Sequence, residues 1–268
     1  MAIAQNYYIE NEKVKEAKEY HEENEGVVIY EVLRIIKGIP LFLEEHLKRM
    51  DNSFKLINKV NPYDSEIIKK SIEKLVEVNS VYEGNVKITV EVMDREDVLR
   101  VYYIPHSYPT EEQYENGVKT ILYFGERENP NAKIVNNNFR NEVNEKIKDA
   151  EAYEAILVDR NGYITEGSRS NIFMIRGDEV LTSPLKDVLP GVTRGEIIEL
   201  CKDNNLILKE EKVSYRDIEN LDGLFITGTS PKILPISQVE GFIFNSNLND
   251  IIKKLMKSYE NKIYDYIN

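Results

Sequence analysis

One cysteine, Cys201, is all that this 268-residue chain contains. An intrachain disulfide and a thiolate metal cluster are thereby excluded, no metal site is expected, and a reducing cytoplasm is the expected setting. Cys201 lies in an apolar helical pattern with Ile197, Ile198 and Leu200, the place of a buried structural thiol. Long apolar runs are also missing. Nowhere do 18 apolar residues follow one another, and Met1–Ile9 has no basic stretch leading into an apolar one, so neither export nor a membrane partner is expected. Surplus positive charge is absent as well: 35 Lys and Arg stand against 47 Asp and Glu, a formal net charge of −12. Binding nucleic acid requires a basic face that displaces counterions, so that class of partner is excluded. Internal repeats and low-complexity tracts do not occur.

What is present suffices for a core, since 41% of the residues are apolar and a chain of this length buries roughly three-quarters of its unfolded surface. The β-branched run Val27–Ile36 reads as a strand ending at Gly38, with Pro40–Leu43 as its hairpin partner. Leu43, Leu47, Met50, Phe54 and Ile57 recur at helical spacing, and a second helix is expected over Asp64–Val78. Strands follow at Val86–Met93 and Val98–Ile104. From Pro105 to Gly117 the apolar pattern lapses into an exposed joining stretch, which divides a small N-terminal α+β domain, 1–110, from a larger β-rich domain, 111–268. The latter holds a strand at Val118–Phe124, helices near Asn138–Ala150, Thr193–Asn204 and Leu248–Tyr266, and two hairpins. One hairpin turns at Asn161-Gly162, read as type I′, and the other at Gly177-Asp178. The fold class is α/β of the α+β type.

Chemistry concentrates in Thr165-Glu166-Gly167-Ser168-Arg169-Ser170-Asn171-Ile172-Phe173, which sets one carboxylate in a Gly/Ser-rich turn between strand-like runs. Two donor-rich segments follow, Leu189-Pro190-Gly191-Val192-Thr193-Arg194 and Thr227-Gly228-Thr229-Ser230-Pro231. Pyridoxal phosphate needs a lysine amine, an acid for its ring nitrogen and donors for its phosphate. A carboxylate, small-residue donors and an upstream lysine match that need.

Across Tyr153–Phe173, a Tyr-Glu-Ala-Ile-Leu run, a hairpin and Thr-Glu-Gly-Ser-x-Ser-Asn-Ile-Phe follow in the order found in the fold-type IV (class IV) pyridoxal-phosphate enzymes, which the chain resembles from about Val27 to Val239. These are the branched-chain and D-amino-acid aminotransferases and the aminodeoxychorismate lyases. The resemblance implies a two-domain fold whose C-terminal part is a pseudo-barrel, a homodimer, and pyridoxal 5′-phosphate as cofactor. It assigns the imine-forming catalytic lysine to Lys133, 20 positions before Tyr153, and the acid opposite the ring nitrogen to Glu166. For the phosphate it assigns Arg49 of His46-x-x-Arg49, the N–H groups of Val192 and Thr193 with the Thr193 hydroxyl, and Thr229. A helix starting near Thr193 favours an anion at its end. Tyr30 and Arg34, on one face of their strand, are candidate substrate residues together with Ser230 and with Asn138, which stands where a tyrosine serves the cofactor's phenolic oxygen in the branched-chain enzymes.

Three departures bear on substrate. The Asp-Arg-Gly run before a Gly-Asp-Gly turn is replaced by Glu22–Gly26; acids stand in Val90–Asp94 where D-amino-acid aminotransferases clamp a carboxylate with arginine; and Pro231 has no N–H to offer a substrate carboxylate. The resemblance implies amino transfer between an amino acid, branched-chain-like, and a 2-oxo acid. A lyase releasing pyruvate and 4-aminobenzoate, and a cofactor-binding homologue without turnover, remain the alternatives.

Overall fold

The computed structural model describes residues 3–21, 26–93, 97–127, 130–134 and 137–268. It divides into two compact units, the first comprising 1–107 with 132–135 and 266–268, and the second 108–131 with 136–265.

In the first unit, β1 (Tyr7–Glu10) and β2 (Lys13–Glu16) precede β3 (Val27–Ile36), β4 (Ile39–Pro40), α1 (Leu43–Leu56), α2 (Ser65–Asn79), β5 (Gly84–Val92) and β6 (Val98–Ile104). The strands form one sheet in the order β2-β1-β6-β5-β3-β4. Its alternation decides everything nearby. Ile29, Leu33, Val86, Ile88, Val90, Leu99 and Val101 face one way and pack with Leu47, Met50, Phe54, Ile68, Ile72 and Leu75 of the two helices. The other face carries Tyr30, Lys87, Thr89, Arg100 and Tyr102, joined in register as Tyr30↔Thr89, Thr89↔Arg100 and Lys87↔Tyr102. The Asp64 side chain caps α2 by accepting from the N–H groups of Glu66 and Ile67, which fixes where that helix begins. Pro40–Leu43 does not continue as a hairpin strand: β4 stops at Pro40, because Phe42 turns left-handed (φ 51°) and α1 begins at the next residue. The Phe42 ring is held against Tyr266, centroids 5.0 Å apart.

The second unit contains α3 (Glu111–Asn116), β7 (Val118–Phe124), α4 (Asn137–Asp149), β8 (Glu154–Val158), β9 (Tyr163–Gly167), β10 (Asn171–Arg176), β11 (Glu179–Thr182), α5 (Val192–Asp203), β12 (Ile207–Glu210), β13 (Val213–Ser214), β14 (Gly223–Gly228), β15 (Lys232–Val239), β16 (Phe242–Ile243) and α6 (Asp250–Ile267), whose last two residues are counted with the first unit. The main sheet runs β12-β11-β10-β14-β15-β7-β8-β9-β13, with β16 on β15. It combines antiparallel hairpins with the parallel pairs β7–β8, β7–β15 and β11–β12, a mixed α/β fold. The stretch read as a joining segment contains α3, which Thr110 and Gln113 start with a reciprocal capping box. The Asn161-Gly162 turn is not type I′, since only Gly162 has a positive φ, 82°. Asp159 decides this: its carboxylate accepts from the N–H groups of Asn161 and Tyr163, both 2.9 Å, and its carbonyl from Gly162. Cys201 is buried and burial pushes its thiol up to about 12. Among the described residues no helix is long and apolar enough to cross a membrane.

Candidate active site

Glu31 occupies the apolar phase of β3, between Ile29 and Leu33, and therefore points at α1. There it meets two side chains one helical turn apart. Arg49 donates from Nε to Glu31 Oε1 at 2.8 Å and from Nη2 to Oε2, a bidentate pair, while His46 Nδ1 lies 2.7 Å from Oε2. All three are buried. Burial alone would raise the Glu31 carboxyl; the Arg49 guanidinium and His46 overcome it and hold the group at about 2. For His46 burial wins over the pull of Glu31 and lowers its pKa, so the ring is neutral and Nδ1–H donates to the carboxylate. Arg49 is thus fixed in direction before any ligand arrives.

Lys133 belongs to the same unit. Its carbonyl accepts from Tyr30 N–H at 3.1 Å, and Ile134 bridges Ile29, so the segment lies against β3. Its own N–H donates to the Ser53 hydroxyl at 3.2 Å, and that hydroxyl donates to the Arg49 carbonyl at 3.1 Å. The ammonium Nζ stands 4.8 Å from the centre of the Tyr30 ring. Lys133, Tyr30 and Arg49 are therefore brought together, with Ser53 as the link. Arg34 is half-buried on the same strand face as Tyr30.

In the second unit Glu166 is buried near the end of β9. Its Oε2 accepts from Leu189 N–H at 3.0 Å and lies 3.4 Å from Asn171 Nδ2, which also donates to the Leu189 carbonyl at 2.9 Å. Its Oε1 faces Arg127 Nε at 3.3 Å, and Arg127 Nη2 holds the Ser168 carbonyl at 2.7 Å. The turn after Glu166 is organised by another carboxylate. Glu154 Oε1 accepts from Arg169 N–H at 2.6 Å and from the Ser170 hydroxyl at 3.0 Å. A Cβ on Gly167 would sit 2.1 Å from Ser170 Oγ and 2.7 Å from Glu154 Oε1, so only glycine fits.

The helix α5 starts at Val192 behind Gly191, which offers no side-chain cap to its first N–H groups; Val192 and Thr193 are buried there. Asn171 pairs in register with Thr227 of β14, so the Glu166 turn and the segment leading to Gly228, Thr229 and Ser230 are neighbours through the sheet. Thr229 and Ser230 are half-buried. Asn138 is exposed in the first turn of α4, while Asn136, residues 22–25 and Asp94 lie outside the described residues.

Glu31, Ser53, Arg127 and Glu154 are not among the candidates that sequence reasoning yields. An acid interrupting the apolar phase Ile29–Glu31–Leu33 is the available signal for the first. Glu154 stands inside a recognised motif whose physical role, holding the next turn, needs the fold to be seen. For Arg127, in an irregular segment, the sequence offers no signal.

The family model described as Amino-transferase class IV matches residues 28–239. D-alanine aminotransferase of Bacillus licheniformis is 28% identical over 251 residues, 89% of this chain and 88% of its own. The branched-chain amino acid aminotransferase of Escherichia coli shares the fold at a TM-score of 0.86, with 19% identity, covering 96% of this chain and 94% of that one. A structure of the T.th. branched-chain amino acid aminotransferase with pyridoxamine 5′-phosphate superposes with a TM-score of 0.85 at 20% identity, covering 97% of this chain and 94% of that one. With most of its length inside the family match and both units drawn from that fold, the chain belongs to the class IV aminotransferases.

Proposed function

We propose that the protein is a pyridoxal-phosphate-dependent aminotransferase moving an amino group between a branched-chain-like amino acid and a 2-oxo acid, with Lys133 as its catalytic amine. The observation that carries this is the tether Tyr30–Lys133–Ser53–Arg49, because it holds a nucleophilic amine, a pocket aromatic and a pre-oriented guanidinium on one rigid frame. The donor set fits the cofactor. An uncapped helix N-terminus at Val192 and Thr193, and the buried Thr227 hydroxyl without a hydrogen-bond partner among the described residues, suit a phosphate-bearing ligand. Buried Glu166, oriented by Leu189 N–H and Asn171, suits a protonated ring nitrogen.

When bound, the cofactor supplies an electron sink for the bond broken at the substrate α-carbon. The residues of this chain do the rest. Arg49, Val192, Thr193 and Thr229 would hold the phosphate, and Glu166 would keep the ring nitrogen protonated. With the cofactor bound, the Lys133 Nζ amine would be the group that takes a proton from the substrate α-carbon and later gives it back. Tyr30 limits how that amine can swing. Single buried Cys201 and the family resemblance support a cytoplasmic homodimer as part of the same reading.

The test is the visible spectrum of purified protein incubated with pyridoxal phosphate, before and after borohydride, together with transfer from leucine to 2-oxoglutarate. Lys133→Ala is expected to lose both the borohydride-reducible band and transfer. Glu166→Gln is expected to keep the cofactor and lose roughly a hundredfold or more in kcat, the scale of a general electrostatic contribution to catalysis. A reducible band that survives in Lys133→Ala refutes the assignment, and release of pyruvate and 4-aminobenzoate from aminodeoxychorismate without transfer would move the enzyme to the lyases.

A further inference from the structure

Between α3, the start of β15 and α6, all of it inside the second unit, lies a cavity of about 310 Å³. That is the lower end of the range, about 300 to 1,000 Å³, in which small ligands are held. On α6, Ile252, Leu255, Tyr259 and Ile263 form the buried stripe, and Lys253, Met256, Lys257 and Glu260 recur beside it at helical spacing. This second stripe lines the cavity together with Tyr259, and Tyr114 of α3 and Ile233 of β15 complete an apolar and aromatic body.

Charge around that body is uneven. Glu260 is the one acid in the lining, and Lys232 Nζ holds both of its oxygens, at 2.8 and 3.0 Å. Lys253 and Lys257 are exposed and have no ion pair or side-chain hydrogen bond among the described residues. The acids of α3, Glu111, Glu112 and Glu115, do not line the cavity. Two ammonium groups one helical turn apart are close enough to grip a single carboxylate, and their alkyl stems extend the apolar wall toward it. The complementary occupant is a small carboxylate with an aromatic or branched apolar body.

The wall of the cavity also anchors the turn Thr229-Ser230-Pro231. The register pair Gly228↔Lys232 closes that turn between β14 and β15. The Tyr114 hydroxyl donates to the Pro231 carbonyl at 3.0 Å, and Lys232 takes a left-handed φ of 52°, which a residue with a side chain rarely adopts. An occupant packed on Tyr114 and Lys232 therefore orders the turn that carries Thr229.

We infer that this cavity is an effector site, which takes a small carboxylate with an apolar body and passes its occupancy through Tyr114 and Lys232 to Thr229 and Ser230. The consequence for cofactor affinity rests on the aminotransferase reading above, whereas the binding and the response of the turn do not. No bond is made or broken there.

The experiment titrates the isotope-labelled full-length protein by NMR with phenylacetate, which carries neither an amine nor an oxo group to react, and with neutral phenylacetamide. Phenylacetate is expected to move the backbone amide signals of Ile233, Met256 and Lys257 and, along the same titration curve, those of Thr229 and Ser230. Phenylacetamide on the wild type, and phenylacetate on a Lys253→Gln, Lys257→Gln double variant, are expected to bind about tenfold more weakly, the scale of one charge-assisted contact. Both lysines are exposed, so the double variant keeps the wild-type fold, and its own spectrum checks this. Tyr114→Phe is expected to keep the binding and to lose most of the response at Thr229 and Ser230. In a parallel absorbance titration, saturating phenylacetate is expected to tighten pyridoxal-phosphate binding roughly fivefold, the low end of ordinary coupling between sites. Absent shifts at Ile233 and Met256, an affinity indifferent to the two lysines, or a turn that stays silent in wild type or still responds in Tyr114→Phe overturns the inference. So does unchanged or weakened cofactor affinity in a protein that binds the cofactor. A protein that never takes up pyridoxal phosphate removes the functional reading, and the amide signals then decide the effector site by themselves.

Discussion

Glu31 is a fully buried acid whose carboxyl is held at about 2 against burial that would raise it, by Arg49 first and His46 second. Its folded pKa lies below the ordinary carboxylate value of 4.5, so the stability it contributes is fully present above about 4.5 and is lost as pH falls toward 2. His46 acts in the same direction. Its pKa is lowered from 6.5, so protonation favours the unfolded chain and stability begins to decline as pH falls below that value. Replacing Glu31 by Gln leaves the Arg49 guanidinium buried without its charge partner, which costs about 3–5 kcal/mol at neutral pH. Urea unfolding followed from about pH 8 to pH 3 should therefore show the Glu31→Gln curve well below wild type at neutral pH and converging on it in acid. Parallel curves would mean that the Glu31–Arg49 pair contributes no net charge stabilisation. Cofactor affinity should fall in the same variant, because the guanidinium loses the bidentate contact that aims it.

At the scale of single elements, α5 shows how a helix end is shaped by a strand some twenty residues earlier. Gly191, its N-cap, would place a Cβ 2.0 Å from Asn171 Oδ1, and Asn171 is the residue that steadies Glu166 and Leu189. Gly191→Ala must push Asn171 aside, an overpacking change of about 1–3 kcal/mol. It should weaken pyridoxal-phosphate binding in an absorbance titration by about tenfold and broaden the cofactor band as Glu166 loses its anchor; unchanged affinity would show that Asn171 adapts without cost to the site. Helices and long strands are legible in the sequence because their periods are local: Val27–Ile36, Ser65–Asn79 and Val118–Phe124 lie within a residue or two of expectation. The turn at Asn161-Gly162 misleads because Asp159, outside the pair, supplies the deciding hydrogen bonds. Likewise α3 is hidden since six residues carry no apolar period, and only the Thr110/Gln113 cap announces it. The Glu166 and Gly191 motifs are visible as strings, whereas their meeting through Asn171 is a tertiary fact. Ser53 is an ordinary residue until α1 gives it neighbours.

Taken as a whole, the molecule carries a formal charge of −12, counted with histidine neutral. If the proposed function holds, a dianionic 2-oxo acid is repelled by that field at a distance, whereas Lys133 and Arg34 of the candidate site would attract it at short range. The two effects respond differently to salt. Screening acts on charges separated through water, with a Debye length of about 30 Å at 0.01 M falling to about 10 Å at 0.1 M, and acts far less on buried pairs. If the global field governs capture, raising sodium chloride from about 10 to about 150 mM should lower KM for 2-oxoglutarate two- to several-fold. KM for zwitterionic leucine and both kcat values should stay within experimental error. A KM for 2-oxoglutarate that instead rises with salt would show that the cationic side chains of the pocket, rather than the acidic surface, set the potential the substrate meets on approach.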